Sequence, residues 1–382
     1  MMQNRFFPEI HGNFGFGCMR LPMLDGKVDL EQTASMVDAF LDCGFNYFDT
    51  AHGYINGMSE TALRDCLCTR YPRERFLLTD KLTGSYFKKE EDIRPFFDSQ
   101  LQACGVDYFD FYLMHAQNAK NFEQFKACRA YETAFALKKE GKIRHVGLSF
   151  HDTAEVLDRI LTTYPEIEIV QIQLNYVDFE DPGVQSRKVY EVCEKHNKPV
   201  IVMEPVKGGS LVNLPADAQA ALDRLREQKQ TTCSNAGYAI RFAAGFPNIA
   251  MVLSGMSTKE QMDDNLSTMK DFRPLDNEEK MAISQVCAVF HSLGLIPCTG
   301  CSYCVEENHC PRGIQIPKLF SCYNTKTLFH SWNQDFYYQN VLVKNGGRAA
   351  DCIKCGKCEK VCPQHLPIRQ LLEDVSREFD RA

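Results

Sequence analysis

Eight short β-rich runs, each followed by a longer stretch of helical period, occupy residues 14–270 and leave few folds open to this chain. The runs are FGFGCMRL (14–21), NYFDTA (46–51), FLLTDKL (76–82), YFDFYLMH (108–115), HVGLSF (145–150), IEIVQIQLN (167–175), PVIVMEPV (199–206) and IAMVLSGM (249–256). Strands joined by crossover helices pair in parallel, and a parallel sheet has to be covered on both faces. Eight such units fit a closed (β/α)8 TIM barrel better than an open doubly wound sheet, which carries a Gly-rich first turn; no GxGxxG is present. In the first helical stretch Leu30, Val37, Phe40 and Leu41 share a face, with Asp29 placed to cap its start and Gly44 its end.

Beyond Asp276 the pattern changes. A helical run through Val286 and Phe290 reaches Pro297, and two dense groups of cysteines follow. The chain of 382 residues exceeds what one core usually holds. The expected division is a barrel over 1–275, a connecting helix over 276–297 and a small α-helical, ferredoxin-like iron–sulfur domain over 298–382. The opening residues MMQNRFFPEI lack the features of a secretory signal, and no apolar stretch is long enough to cross a bilayer. A cytoplasmic location is therefore expected, with no membrane partner. The net charge of −7 and the lack of a Lys/Arg stripe exclude nucleic acid.

Eighteen cysteines in a reducing compartment need an explanation other than disulfides. Ten of them (Cys18, Cys43, Cys66, Cys68, Cys104, Cys128, Cys193, Cys233, Cys287 and Cys322) are scattered and read as small buried hydrophobes. The rest form two runs. Cys352-x2-Cys355-x2-Cys358-x3-Cys362-Pro363 is the bacterial ferredoxin run. Cys298-x2-Cys301-x2-Cys304 is followed by Cys310-Pro311 after five residues where that run has three. Three close thiolates can hold three corners of a cube while the distant fourth reaches the neighbouring cube. Two [4Fe–4S] clusters follow, one on Cys298, Cys301, Cys304 and Cys362, the other on Cys352, Cys355, Cys358 and Cys310. The longer spacing leaves a single cluster as the alternative. Structural zinc also uses CxxC pairs, but it does not call for a triple run with a trailing Cys-Pro.

Functional groups of such barrels lie at the C-terminal ends of the strands. Asp49 ends the second run, Tyr54 follows it, Lys81 ends the third and His115 the fourth. Through YFDTAHGY, LLTDKL and FYLMH, with GLSFH, VQIQLN, EPVKGGSL and SGMSTKEQMDDN in lower detail, residues 14–270 resemble the aldo-keto reductase family. Together with the cysteine runs the chain is similar to that family's bacterial branch with a C-terminal ferredoxin-like domain. The resemblance implies an oxidoreductase acting on a small-molecule carbonyl or alcohol with NAD(P)(H). Hydride addition leaves an alkoxide, so a proton donor must stand beside it. Tyr54 takes that role, Lys81 is expected to lower its pKa, Asp49 to hold Lys81, and His115 to polarise the carbonyl. His52 is left outside this set as a solvated loop histidine.

By the same resemblance Ser149 and Gln171 contact the nicotinamide amide, and Gly255, Ser257, Gln261 and Asn265 cradle the adenosine phosphate end. Two ring contacts differ: Phe150 stands where the family has Asn, and Met203 where it has the stacking aromatic residue. Methionine can still cover a ring through its thioether. Lys259 is the one cation near the phosphate end, so a choice of NADP over NAD does not follow.

A nicotinamide delivers two electrons as hydride, whereas each cluster accepts one, so carbonyl reduction alone does not explain the clusters. A ferredoxin or flavoprotein redox partner would. The changed ring contacts also admit a flavin, or electrons straight from the clusters, in place of nicotinamide. The remaining readings are a non-catalytic electron-transfer protein and clusters that only staple a small domain.

Overall fold

The computed structural model describes residues 4–181, 184–306, 310–329, 333–344 and 346–380. Contacts divide the chain into one unit of Met1–Glu180, Gln185–Pro205 and Ala236–Leu275, and another of Asp181–Val184, Val206–Asn235 and Asp276–Ala382. Among the described residues no helix is long and apolar enough to cross a membrane.

In the first unit every β-rich run becomes a barrel strand. The strands are β1 (Phe14–Gly17), β4 (Tyr47–Asp49), β5 (Leu77–Leu82), β6 (Phe109–Gln117), β7 (Ile143–Phe150), β8 (Ile169–Gln173), β9 (Val200–Met203) and β10 (Ile249–Gly255). They close in the order β1-β10-β9-β8-β7-β6-β5-β4, all pairs parallel. The small antiparallel hairpin of β2 (Met23–Leu24) and β3 (Lys27–Val28) was not foreseen, because its strands are too short to show an alternation.

The first helix, Leu30–Asp42, starts as expected: the Asp29 carboxylate accepts the Gln32 N–H at 2.9 Å. Val37, Phe40 and Leu41 are buried, but Leu30 is 44% exposed. It occupies the first helical position, where the side chain precedes the packed turn.

Side chains alternate across a strand, so one parity lines the barrel interior. Tyr47, Leu77, Phe111, Leu113, Ile169, Ile201, Met251 and Leu253 meet there with Phe7 and Ile10 of the N-terminal segment. Tyr47 and Phe111 lie 5.3 Å apart and Phe7 meets Phe111 edge-on at 5.2 Å. At Gly147 a Cβ would stand 2.6 Å from the Ile169 carbonyl and 2.7 Å from Leu113, so this layer closes only with glycine there. The same parity carried toward the strand ends turns Asp49, Lys81, Ser149, Gln171 and Met203 inward.

In the second unit the helix Ala216–Lys229 packs against Asn277–Ser292. Asp276 and Glu279 form a reciprocal cap at the start of the latter, and Lys229 reaches Asp276 at 2.5 Å. Toward the C-terminus, Ile314, Leu319, Phe320, Tyr338, Leu372, Val375 and Phe379 share a core. Tyr338 stacks on Phe379 at 4.5 Å, and its hydroxyl accepts the Ala349 N–H at 2.9 Å.

Candidate functional site

β4 and β5 are neighbours in the barrel, which brings Asp49 and Lys81 together. The Lys81 ammonium, fully buried, donates to Asp49 Oδ1 at 2.6 Å and to the Thr50 carbonyl at 2.7 Å. It stands 4.7 Å from the centroid of the Tyr54 ring. Tyr54 and His115 meet edge to face at 6.0 Å. His115 follows the part of β6 that pairs regularly with β7, and its Nδ1 shares a 2.7 Å hydrogen bond with Thr83 Oγ1. The structure thus gathers all four residues singled out by strand position.

The electrostatics differ from expectation at one point. The Tyr54 phenol is pushed well above its ordinary value, first by burial and then by the carboxylates of Asp49 and Asp80. Lys81 does not bring it down, because its ammonium already serves Asp49 and Thr50 and lies over the ring face. His115 is held well below the usual histidine range by burial, then by Lys81 and His151, so its ring is neutral at neutral pH. Burial raises Asp49 despite the opposing Lys81 charge.

Gln171 donates to Asp49 Oδ2 at 3.4 Å, and Ser149 Oγ accepts the Ala116 N–H at 2.8 Å. Met203, at the end of β9, is half-buried. Gly255 is exposed, Ser257 Oγ donates to the Arg20 carbonyl at 2.8 Å, and Gln261 Oε1 accepts the Ser257 N–H at 2.8 Å. Asn265 donates to Ser254 Oγ at 2.9 Å, while its buried Oδ1 has no hydrogen-bond partner among the described residues. That orphaned acceptor calls for a hydrogen-bond donor on a ligand, such as an amine or hydroxyl, close to the Thr258-capped helix Lys259–Lys270. Lys259 is bound by Asp263, whereas the Arg20 side chain lies across Gly255. Arg20 is a cation the sequence offered no means of placing here.

A second set of polar residues escaped the sequence reading. Asp80 Oδ1 accepts the Lys81 N–H at 2.7 Å, and Gln100 donates to the Lys81 carbonyl at 3.1 Å. Tyr112 donates to Gln100 Oε1 at 2.5 Å, and Glu60, Asp80 and Cys104 cluster in the core beside them. Asp80 is pushed well above the usual carboxylate range by burial and by Glu60. His52 bonds Glu60 at 2.8 Å and packs edge-on against Tyr86 and Phe96, so it is not simply solvated. These residues come from two strands, two helices and a loop, and the strand residues among them, Asp80 and Tyr112, have the parity that points away from the barrel axis.

In the second unit Cys298, Cys301, Cys304 and Cys362 line one cavity of about 320 Å³. Cys310, Cys352, Cys355 and Cys358 line another of about 360 Å³, and Cys304 and Ile316 border both. These are the two sets expected from the spacing, the two extra residues before Cys310 included. Burial pushes the Cys304 thiol up to about 12, with Cys298, Cys362 and Cys358 adding to the rise. Thiolates crowded in this way need a polycationic core, which the donor set of each cavity suits. Of the ten scattered cysteines, Cys18, Cys66, Cys104, Cys128, Cys193 and Cys322 are buried; Cys43, Cys68, Cys233 and Cys287 are only half-buried, contrary to expectation.

Residues 13–288 match the model of the aldo/keto reductase family, and residues 297–367 that of the 4Fe-4S dicluster domain. The NADH-specific methylglyoxal reductase of Escherichia coli is 25% identical over 294 residues, which span 65% of this chain and 86% of that protein. An aldo-keto reductase of Mycolicibacterium smegmatis is 31% identical over 212 residues, covering 54% of this chain and 71% of its own. A solved aldo-keto reductase from Klebsiella pneumoniae in complex with NADPH superposes with a TM-score of 0.58 at 19% identity, over 72% of this chain and 90% of that one. At that identity the likeness carries the fold.

Proposed function

The chain belongs to the aldo/keto reductase family, and on that premise we propose that it reduces a small carbonyl compound, or oxidises the matching alcohol, with NAD(P)(H). The proposal includes two [4Fe–4S] clusters in the tail, in a division of barrel 1–275, connecting helix 276–297 and cluster domain 298–382. The meeting of Asp49, Lys81, Tyr54 and His115 at the strand ends carries the reading.

A bound nicotinamide supplies the hydride. Tyr54 gives its phenolic proton to the carbonyl oxygen as the alkoxide forms; its raised pKa keeps that proton in place at neutral pH. Neutral His115, oriented through Nδ1 by Thr83, holds the oxygen within reach of Tyr54. Lys81, anchored by Asp49, stands against the ring and fixes where the phenol is held. Ser149 and Gln171 would hold the nicotinamide amide, and Met203 would cover the ring. Gly255, Ser257, Gln261 and Asn265 would hold the phosphate end, with Arg20 the cation nearest Gly255. Methylglyoxal, the substrate in the name of one relative, is the first carbonyl to try.

The test is anaerobic oxidation of NADH and NADPH with methylglyoxal and a panel of small aldehydes. Tyr54→Phe is expected to lower turnover by about 10²–10⁴-fold without unfolding the protein. An unchanged rate in Tyr54→Phe, or no turnover across the panel, rejects the reading. Iron and sulfide analysis tests the tail separately: about eight irons per chain are expected, four would mean one cluster, and none would remove the module.

A further inference from the structure

The eight clustered thiols are unequal. Cys355 is exposed, Cys304 and Cys358 are buried, and the rest are half-buried. Cys355 sits in the run Ile353-Lys354-Cys355-Gly356-Lys357, where Ile353 is 59% exposed and both lysines are exposed. Lys354 and Gly356 take positive φ, 56° and 72°, so the backbone turns tightly on either side of the cysteine.

The two cavities also differ in charge. That of Cys310, Cys352, Cys355 and Cys358 is bordered by Arg312, Lys357 and Arg369 with no carboxylate, whereas no charged side chain borders the other. Several nearby cations are answered: Arg369 by Glu359 at 2.8 Å, Lys354 by Glu373 at 2.6 Å, Arg312 by Asp351 at 3.9 Å. Lys357 and Lys360 are exposed, and among the described residues neither makes an ion pair. Two unanswered lysines therefore follow the exposed thiol within five residues, in a chain whose net charge is −7.

An exposed apolar side chain in one short run with two unpaired lysines is the pattern of a small, transient docking surface, with the charges steering the encounter. An acidic protein is repelled by the chain as a whole and attracted here. We propose that residues 353–360 dock a small acidic one-electron carrier protein, which exchanges electrons through the cluster held by Cys310, Cys352, Cys355 and Cys358. In the exchange the reduced carrier loses one electron and the cluster gains it; no bond is made or broken. This rests on the reading that the thiols hold clusters, and it adds where electrons enter and to what partner.

The experiment mixes the oxidised, cluster-loaded protein with a reduced acidic [2Fe–2S] ferredoxin under anaerobic stopped flow and follows cluster bleaching. At low salt, Lys357→Glu with Lys360→Glu should lower the second-order rate constant at least about tenfold, and the gap should close near ~0.5 M salt. Lys357→Gln with Lys360→Gln, gentler on the cluster loop, should give a smaller fall in the same direction. Reversing Lys120 and Lys139, exposed on the barrel, makes the same change in net charge and should have little effect. Iron content and bleaching by dithionite are measured for each variant. Fully loaded, dithionite-reducible variants that accept electrons from ferredoxin at the wild-type rate overturn the docking surface alone, as does an equal fall in the barrel control. A wild-type protein without iron, or one dithionite cannot bleach, overturns the underlying reading and the docking surface with it.

Discussion

At the scale of single residues the site is governed by burial. With Tyr54 raised and His115 lowered, neither group titrates near neutrality. Carbonyl reduction is therefore expected to be flat between about pH 6.5 and 9, and a limb of Tyr54 in that window, abolished by Tyr54→Phe, would contradict this. Lys81→Met leaves Asp49 buried without its partner and is expected to cost about 3–5 kcal/mol, read as a lower midpoint in urea. Asp80 gives a prediction of opposite kind. Its folded pKa lies above the unfolded value, so its contribution to stability is full below about pH 4 and is lost as pH rises toward the folded pKa. Asp80→Asn mimics the protonated form, still accepting from Lys81 and donating to Glu60. It should match the wild type in acid and melt higher than it at about pH 8, a comparison made by thermal scans at both pH values. Asp49, Lys81 and His115 were legible because they fall at strand ends, and Tyr54 because it follows one in a stretch that resembles the family. Asp80 and Gln100 were not, since nothing along the chain says that they bracket the Lys81 peptide.

Elements were read more readily than their irregular ends. Each β-rich run has enough apolar length to mark a buried parallel strand, and the Asp29 cap follows from its place before a helical period. The positive φ of Ala116 after His115 and the turn around Cys355 had no such marker, because neither carries an Asn-Gly or Pro-Gly signature. Among the barrel-strand glycines the least room for a side chain is at Gly147, where β7 meets β8. Gly147→Ala forces a methyl against the Ile169 carbonyl and should cost about 1–3 kcal/mol, measured by denaturant unfolding. Wild-type stability in that variant would show that the two strands can part freely.

On the scale of the whole molecule, two matched families account for most of the sequence, and each supplies a different kind of cohesion. The barrel closes over its own apolar interior, while the core around Ile314, Phe320 and Leu372 borders two thiol-lined cavities. Removing the iron should therefore loosen the tail and spare the barrel. Limited proteolysis of chelated protein is expected to cut within residues 298–380 while leaving the barrel intact; equal resistance of the two preparations would show that the metal adds nothing to the tail's stability. Cys304 and Ile316 border both cavities, so the two basins are neighbours with part of their wall in common. With an iron–sulfur core on each side, an electron stored in one repels the next from the other. The pair would then fill as a staircase with two separate steps, parcelling a two-electron delivery into singles.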